Sequence, residues 1–148
     1  MITYDEINSE WAKDSDDFKN NHDIVRHSQE QYILHQKYYQ WYNECCFEKI
    51  KLEGKFEKLK RDKLEYYNGE MSLEDIKARG WPLKPKIMAK SEISKYILSD
   101  DDSIAIITRI ANIQQNISYL DGIIKMITYR HSNIKNIIEY EKFCSGVI

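Results

Sequence analysis

The chain has 148 residues, with 22 Lys plus Arg against 24 Asp plus Glu, for a formal net charge of −2 with histidines neutral. Hydrophobic residues make up 42% of it, enough for a core, but five Gly and two Pro leave few places to turn. A β-sandwich needs a turn signal about every 8 to 12 residues, and a nucleotide-binding α/β domain needs a Gly-rich phosphate loop. Neither is present, so the composition predicts an all-α fold of long helices.

Residues 1–22 read as an acidic N-terminal arm, and residues 1 to 30 together carry 3 basic and 8 acidic groups. The first ten residues hold three acids and no base, and no run of 18 apolar residues occurs, so neither a signal peptide nor a membrane span is expected. A cytoplasmic protein is expected, in the host cell cytoplasm if the chain is phage-encoded.

Residues 23–98 read as a long helix followed by a linker. From about Ile24 to Tyr67 there is no proline, and Leu34, Tyr38, Trp41, Cys45, Leu52, Phe56 and Leu59 recur at helical spacing, with Glu48 interrupting. At ~1.5 Å per residue such a helix extends roughly 60 Å, so it needs a partner helix. Gly54 in its interior costs about 1 kcal/mol relative to Ala, and Asn68-Gly69 supplies the stop. Ser72-Leu73-Glu74-Asp75 reads as an N-cap for a helix of two turns closed by Gly80. Trp81-Pro82-Leu83-Lys84-Pro85-Lys86 is expected to be extended, because each proline pushes its predecessor out of helical geometry. A short helix over Ser91 to Leu98 precedes the last element.

Residues 99–148 read as a C-terminal oligomerisation helix. Ser99 with Asp100, Asp101 and Asp102 places a hydroxyl cap and carboxylates where unpaired N–H groups and the macrodipole favour them. Then Ile106, Ile110, Ile113, Ile117, Leu120, Ile124, Ile127, His131, Ile134 and Ile138 alternate in steps of four and three, a sustained 3.5-residue repeat. Ile104, Ile107, Ile123 and Ile137 widen the stripe, which suits an oligomeric helical bundle; His131 reads as a polar residue setting register or oligomer state rather than a catalytic base.

Catalytic constellations are missing. His22, His27, His35 and His131 form no i, i+4 metal pair, and Cys45, Cys46 and Cys144 form no CxxC, so no metal, no cofactor and no enzyme activity are expected. An odd cysteine count with two adjacent residues points to reduced thiols.

Positive charge is concentrated between Lys49 and Lys95, where 13 bases meet 8 acids. Lys55, Lys58, Lys60, Arg61 and Lys63 precede Tyr66 and Tyr67, and Lys84 and Lys86 lie in the linker. Cations that meet successive phosphates beside aromatic rings that stack on bases suit single-stranded nucleic acid. Two other readings stand beside this one: a solvated lysine face with packed tyrosines, and a non-enzymatic helical scaffold or adaptor whose basic belt binds an acidic partner. No helix-turn-helix spacing supports a duplex-binding regulator.

The stretch KRDKLEYYNG (Lys60 to Gly69) resembles the basic Leu-acid-Tyr-Tyr-Ser-Gly segment of the UvsY-like recombination mediators of tailed phages. KSEISKYILSDDDSI (Lys90 to Ile104) resembles that family's Lys-Ser-Glu segment leading into an acidic helix start, and RHSNIKNIIEYEKFCSG (Arg130 to Gly146) is similar to its C-terminal end. The family's Lys-x-Arg pair corresponds to Arg61 and Lys63, with Asp62 between them. The acidic stretch from Asp5 to Asp23 and the linker from Trp81 to Pro85 are not among the segments matched to the pattern.

The resemblance implies a mediator of recombination and repair that binds single-stranded DNA as a ring-like homo-oligomer, a hexamer or heptamer. It implies displacement of a single-strand DNA-binding protein and loading of a RecA-like recombinase in its place. Lys58, Lys60, Arg61 and Lys63 are then expected to contact phosphates, with Tyr66 or Tyr67 offering stacking, and the isoleucine seam to hold subunits together.

Overall fold

A computed structural model describes residues 1–20, 23–83 and 88–147. Among the described residues there are five helices and no strand: α1 (Tyr4–Asn20), α2 (Ile24–Asn68), α3 (Leu73–Arg79), α4 (Lys90–Ser99) and α5 (Asp101–Cys144). None of the described helices is long and apolar enough to cross a membrane. The helices divide into two units, Met1–Phe47 with Ile113–Ile148, and Glu48–Asn112. Both long helices therefore contribute to both units.

In the first unit the acidic N-terminal arm is helical, as α1. Thr3 and Glu6 form a capping box: Glu6 N–H donates to Thr3 Oγ1 at 3.3 Å and Thr3 N–H donates to Glu6 Oε2 at 2.8 Å. Ile7 is buried on its inner face. The Lys37 ammonium donates to Glu10 and Asp14, each at 2.9 Å, and Tyr38 OH donates to Asp14 at 2.6 Å. Hydrogen bonds from Lys37 and Lys13 hold Glu10 below the usual carboxylate range, while burial and then the Asp14 hydrogen bond push the Tyr38 phenol up. The negative charge of the N-terminus is thus partly consumed in docking α1 on α2.

The buried column of α2 in this unit is Gln31, Tyr38 and Cys45, and the same seven-residue step continues through Leu52, Leu59 and Tyr66 in the second unit. On the part of α5 in this unit the buried positions are Ile113, Asn116, Ile117, Leu120, Ile123, Ile127, Arg130 and Ile134. The expected column Ile113, Leu120, Ile127, Ile134 is present. The alternate column is shifted by one residue, running through Asn116, Ile123 and Arg130 rather than Ile117, Ile124 and His131. Ile117 stays buried at its edge, Ile124 is half-buried, and His131 is exposed, so it sets no register in this core.

Two polar residues enter the seam because each has a partner there. Asn116 Nδ2 donates to the Ile2 carbonyl at 3.4 Å, and the Arg130 guanidinium lies 5.4 Å from the centroid of the Trp11 ring. A hydrophobic count cannot register such positions, and a run rich in isoleucine supplies an apolar neighbour for either choice.

The second unit packs Leu52, Leu59 and Tyr66 of α2 with Ile76 of α3, Ile93 and Ile97 of α4 and Ser103 of α5, and also buries Asp62 and Lys63 of α2. Ser72 caps α3 by accepting the Asp75 N–H at 3.2 Å, and Gly80 ends it at φ 70°, the left-handed conformation that glycine adopts without a Cβ clash. The cap of α5 is Asp100, not Ser99: Asp100 Oδ1 accepts the Asp102 N–H at 3.1 Å, while Ser99 closes α4 and donates its hydroxyl to the Tyr96 carbonyl. Asp100 wins because a carboxylate at this position also serves a buried lysine, described next.

Candidate nucleic-acid interface

The basic residues expected to meet phosphates lie on the last turns of α2, and the helix sorts them by face. Arg61 projects into solvent with its side chain 64% exposed, touching Asp62 at 3.5 Å. Lys58 is exposed and no ion pair joins it to another described residue. Lys60 is half-buried, donates to Glu57 at 2.6 Å and sits 4.9 Å from the Phe56 ring centroid, so its ammonium is already engaged.

Lys63 is directed inward. Its side chain is 5% exposed, and its ammonium donates to Asp100 at 2.9 Å and meets Asp102 at 3.2 Å. The Trp81 ring centroid lies 4.0 Å from the same nitrogen. Burial acts to lower the Lys63 pKa, but the hydrogen bonds and charges of Asp100 and Asp102 outweigh it and leave the value raised. The ammonium is therefore charged, fully partnered and nearly inaccessible to solvent. The expected phosphate contact at Lys63 is replaced by an internal ion pair that ties the start of α5 to α2.

Its neighbour Asp62 is also buried and pairs with Arg79 of α3, with Arg61 on its other oxygen. Adjacent residues of opposite charge thus fix two segments on α2. Burying either charge alone would be costly, and the fold avoids that by giving each a partner.

Tyr66 does not offer a stacking surface. It is buried, donates its hydroxyl to the Pro82 carbonyl at 2.9 Å, and its ring lies 5.1 Å from both Tyr67 and Trp81. Tyr67 is half-buried, with its hydroxyl 3.5 Å from Asp100; burial, followed by the Asp100 charge, raises its pKa. Of the two tyrosines it retains the accessible edge. Lys84 and Lys86 lie outside the described residues.

The residues that remain presented are Lys58 and Arg61 on one face of α2, while the half-buried Tyr67 lies on the Lys63 face, about 120° round from Arg61. Sequence spacing missed the division between Arg61 and Lys63 because they are two positions apart, about 200° round a helix. The signal was the acid triplet at Asp100 to Asp102, which supplies an internal partner for one lysine. Among the described residues no group of His, Cys, Asp or Glu could hold a metal ion.

Of the residues expected to join subunits, Ile113, Ile117, Leu120, Ile127 and Ile134 are covered within the chain. Ile106, Ile110, Ile124 and Ile138 are half-buried, and His131 is exposed.

The sequence profile of the family described as recombination, repair and ssDNA binding protein UvsY matches residues 10–147. The fold is similar to that in the crystal structure of the bacteriophage T4 recombination mediator protein UvsY. The TM-score is 0.80 and the identity 18%, over 98% of this chain and 99% of that one. No curated protein matches the chain.

Proposed function

The chain belongs to the UvsY family of recombination, repair and single-stranded-DNA-binding proteins, and from that premise we propose that it is a non-enzymatic recombination mediator. It binds single-stranded DNA as a homo-oligomer in the cytoplasm and promotes loading of a RecA-like recombinase in place of a single-strand DNA-binding protein. The observation that carries this reading is the solvent presentation of Lys58 and Arg61 on the C-terminal half of α2. Few cations per subunit make weak phosphate contact, and repetition around an oligomer multiplies them by effective concentration.

Surfaces for assembly are the apolar positions left uncovered, among them Ile104, Ile107, Ile137, Tyr140 and Phe143. The half-buried Ile106, Ile110, Ile124 and Ile138 border them, whereas the fully covered part of the seam serves the fold of each chain.

Fluorescence anisotropy with a labelled single strand and the corresponding duplex, each at two salt concentrations, tests the proposal. Tighter binding of the single strand that weakens with salt supports it. Equal or tighter binding of duplex points to a duplex-binding regulator, and no binding at low salt points to an adaptor for an acidic protein.

A further inference from the structure

Two features of α2 have no explanation inside the chain, and both fall at the same place. Gly54 lies in the interior of a 45-residue helix, where glycine is the least favourable residue after proline. A Cβ built at Gly54 meets nothing within 4 Å, so neither packing nor backbone conformation requires glycine there. Around it stand Lys51, Lys55, Lys58 and Arg61, spaced by four, three and three residues. Like charges at these spacings repel on a helix surface.

At about 100° per residue, the four cations and Gly54 fall within an arc of about 120°, centred about 110° round from the buried Leu52 and Leu59. The nearby acids do not neutralise this arc. Glu53 pairs with Lys49 at 3.5 Å and Glu57 with Lys60 at 2.6 Å. Contacts to the arc itself are long: Lys51 to Glu48 at 3.9 Å and Arg61 to Asp62 at 3.5 Å. Lys55 is exposed like Lys58. Glu65, one turn beyond Arg61, ends the stripe.

We infer that the sugar-phosphate backbone of a single strand runs along this stripe and crosses directly over Gly54. Lys51 and Lys55 then hold phosphates on one side of the crossing, and Lys58 and Arg61 hold them on the other. The missing side chain lets the strand approach the helix backbone, and its phosphates relieve the repulsion among the four cations. The inference rests on the proposed single-strand binding. It adds to that reading two cations, a path along the helix axis and a residue whose contribution is an absent Cβ.

The test uses the full chain, a fluorescein-labelled oligothymidylate and the variants Gly54→Ala, Gly54→Leu and Lys51→Ala/Lys55→Ala. Both Gly54 variants are expected to raise the melting temperature, since the site is open and each new residue favours helix. Gly54→Leu is expected to weaken strand binding several-fold, with Gly54→Ala between it and the wild type. Lys51→Ala/Lys55→Ala is expected to weaken binding and reduce its salt dependence. Greater stability with weaker binding is a combination that a purely structural glycine does not produce.

Unchanged affinity in Gly54→Leu, with the wild type binding the strand, overturns the path while leaving single-strand binding intact. Failure of the wild type to bind at low salt overturns both. Loss of assembly by light scattering in Gly54→Leu assigns the bare backbone to a neighbouring copy of the chain and overturns the inference.

Discussion

Replacing Lys63 by methionine separates an internal ion pair from a DNA contact. Methionine keeps most of the aliphatic stem against Trp81 and removes the ammonium that Asp100 and Asp102 share. Breaking a fully buried pair costs ~3–5 kcal/mol, because the remaining charge is left without a partner. Here the stranded charges are unequal. Asp102 is 57% exposed and returns to water, whereas Asp100 is 16% exposed and retains only the distant Tyr67 hydroxyl and its capping contact to the Asp102 N–H. The expected loss is therefore about 2 kcal/mol, below the fully buried range. With a urea m-value of ~2 kcal/mol/M the unfolding midpoint falls by about 1 M, and the melting temperature falls by about 6 °C. Adding Asp100→Asn restores part of the loss, because the uncompensated charge is removed. Strand affinity of the folded Lys63→Met protein stays within about twofold of wild type, because a buried ammonium meets no phosphate. An unchanged unfolding midpoint together with a large loss of strand affinity would refute the reasoning.

Three further outcomes follow from the same geometry. Because Lys63 is held above its ordinary pKa, the ion pair contributes fully below the unfolded lysine value of about 10.4 and is lost as pH rises through the raised folded value. Urea midpoints at pH 9 and pH 11 should accordingly converge between wild type and Lys63→Met at the higher pH. Glu10 is held below its ordinary range, so its contribution is present above the unfolded value of about 4.3 and fades as pH falls through the lower folded value; amide hydrogen exchange in α1 should quicken in that window before exchange in the middle of α5. Adjacent isoleucines report the register of α5: Ile123→Ala should cost ~2–5 kcal/mol and Ile124→Ala under about 1.5 kcal/mol by urea unfolding, since only Ile123 is wholly buried. Equal costs would place the seam where hydrophobic spacing alone puts it.

The long helices were legible because their causes are local. The proline-free run from Ile24, the Asn68-Gly69 stop and the Ser72 and Gly80 caps each act within a turn or two, and the observed bounds agree. Helix α1 carried an equally local signal in Thr3-x-x-Glu6, but its acidity masked it until Lys37 and Tyr38 were in place as partners. What sequence spacing could not supply is pairing between distant segments. Asn116 and Arg130 enter the α5 seam because of Ile2 and Trp11, and Lys63 turns inward because of Asp100 and Asp102. The basic cluster was visible as composition; which of its charges face outward depends on acids more than 35 residues away along the chain.

The central claim is that solvent-facing cations of α2, and not the buried Lys63, bind the strand. The salt dependence of oligothymidylate binding tests it most directly, measured on wild type, Lys58→Ala/Arg61→Ala and Lys63→Met. Removing one phosphate-binding cation reduces the slope of log K against log salt by about 0.7 for single strands, so the double variant should show a slope smaller by about 1.4 while Lys63→Met runs parallel to wild type. A double variant with the wild-type slope, beside a Lys63→Met protein with a reduced one, would contradict the account.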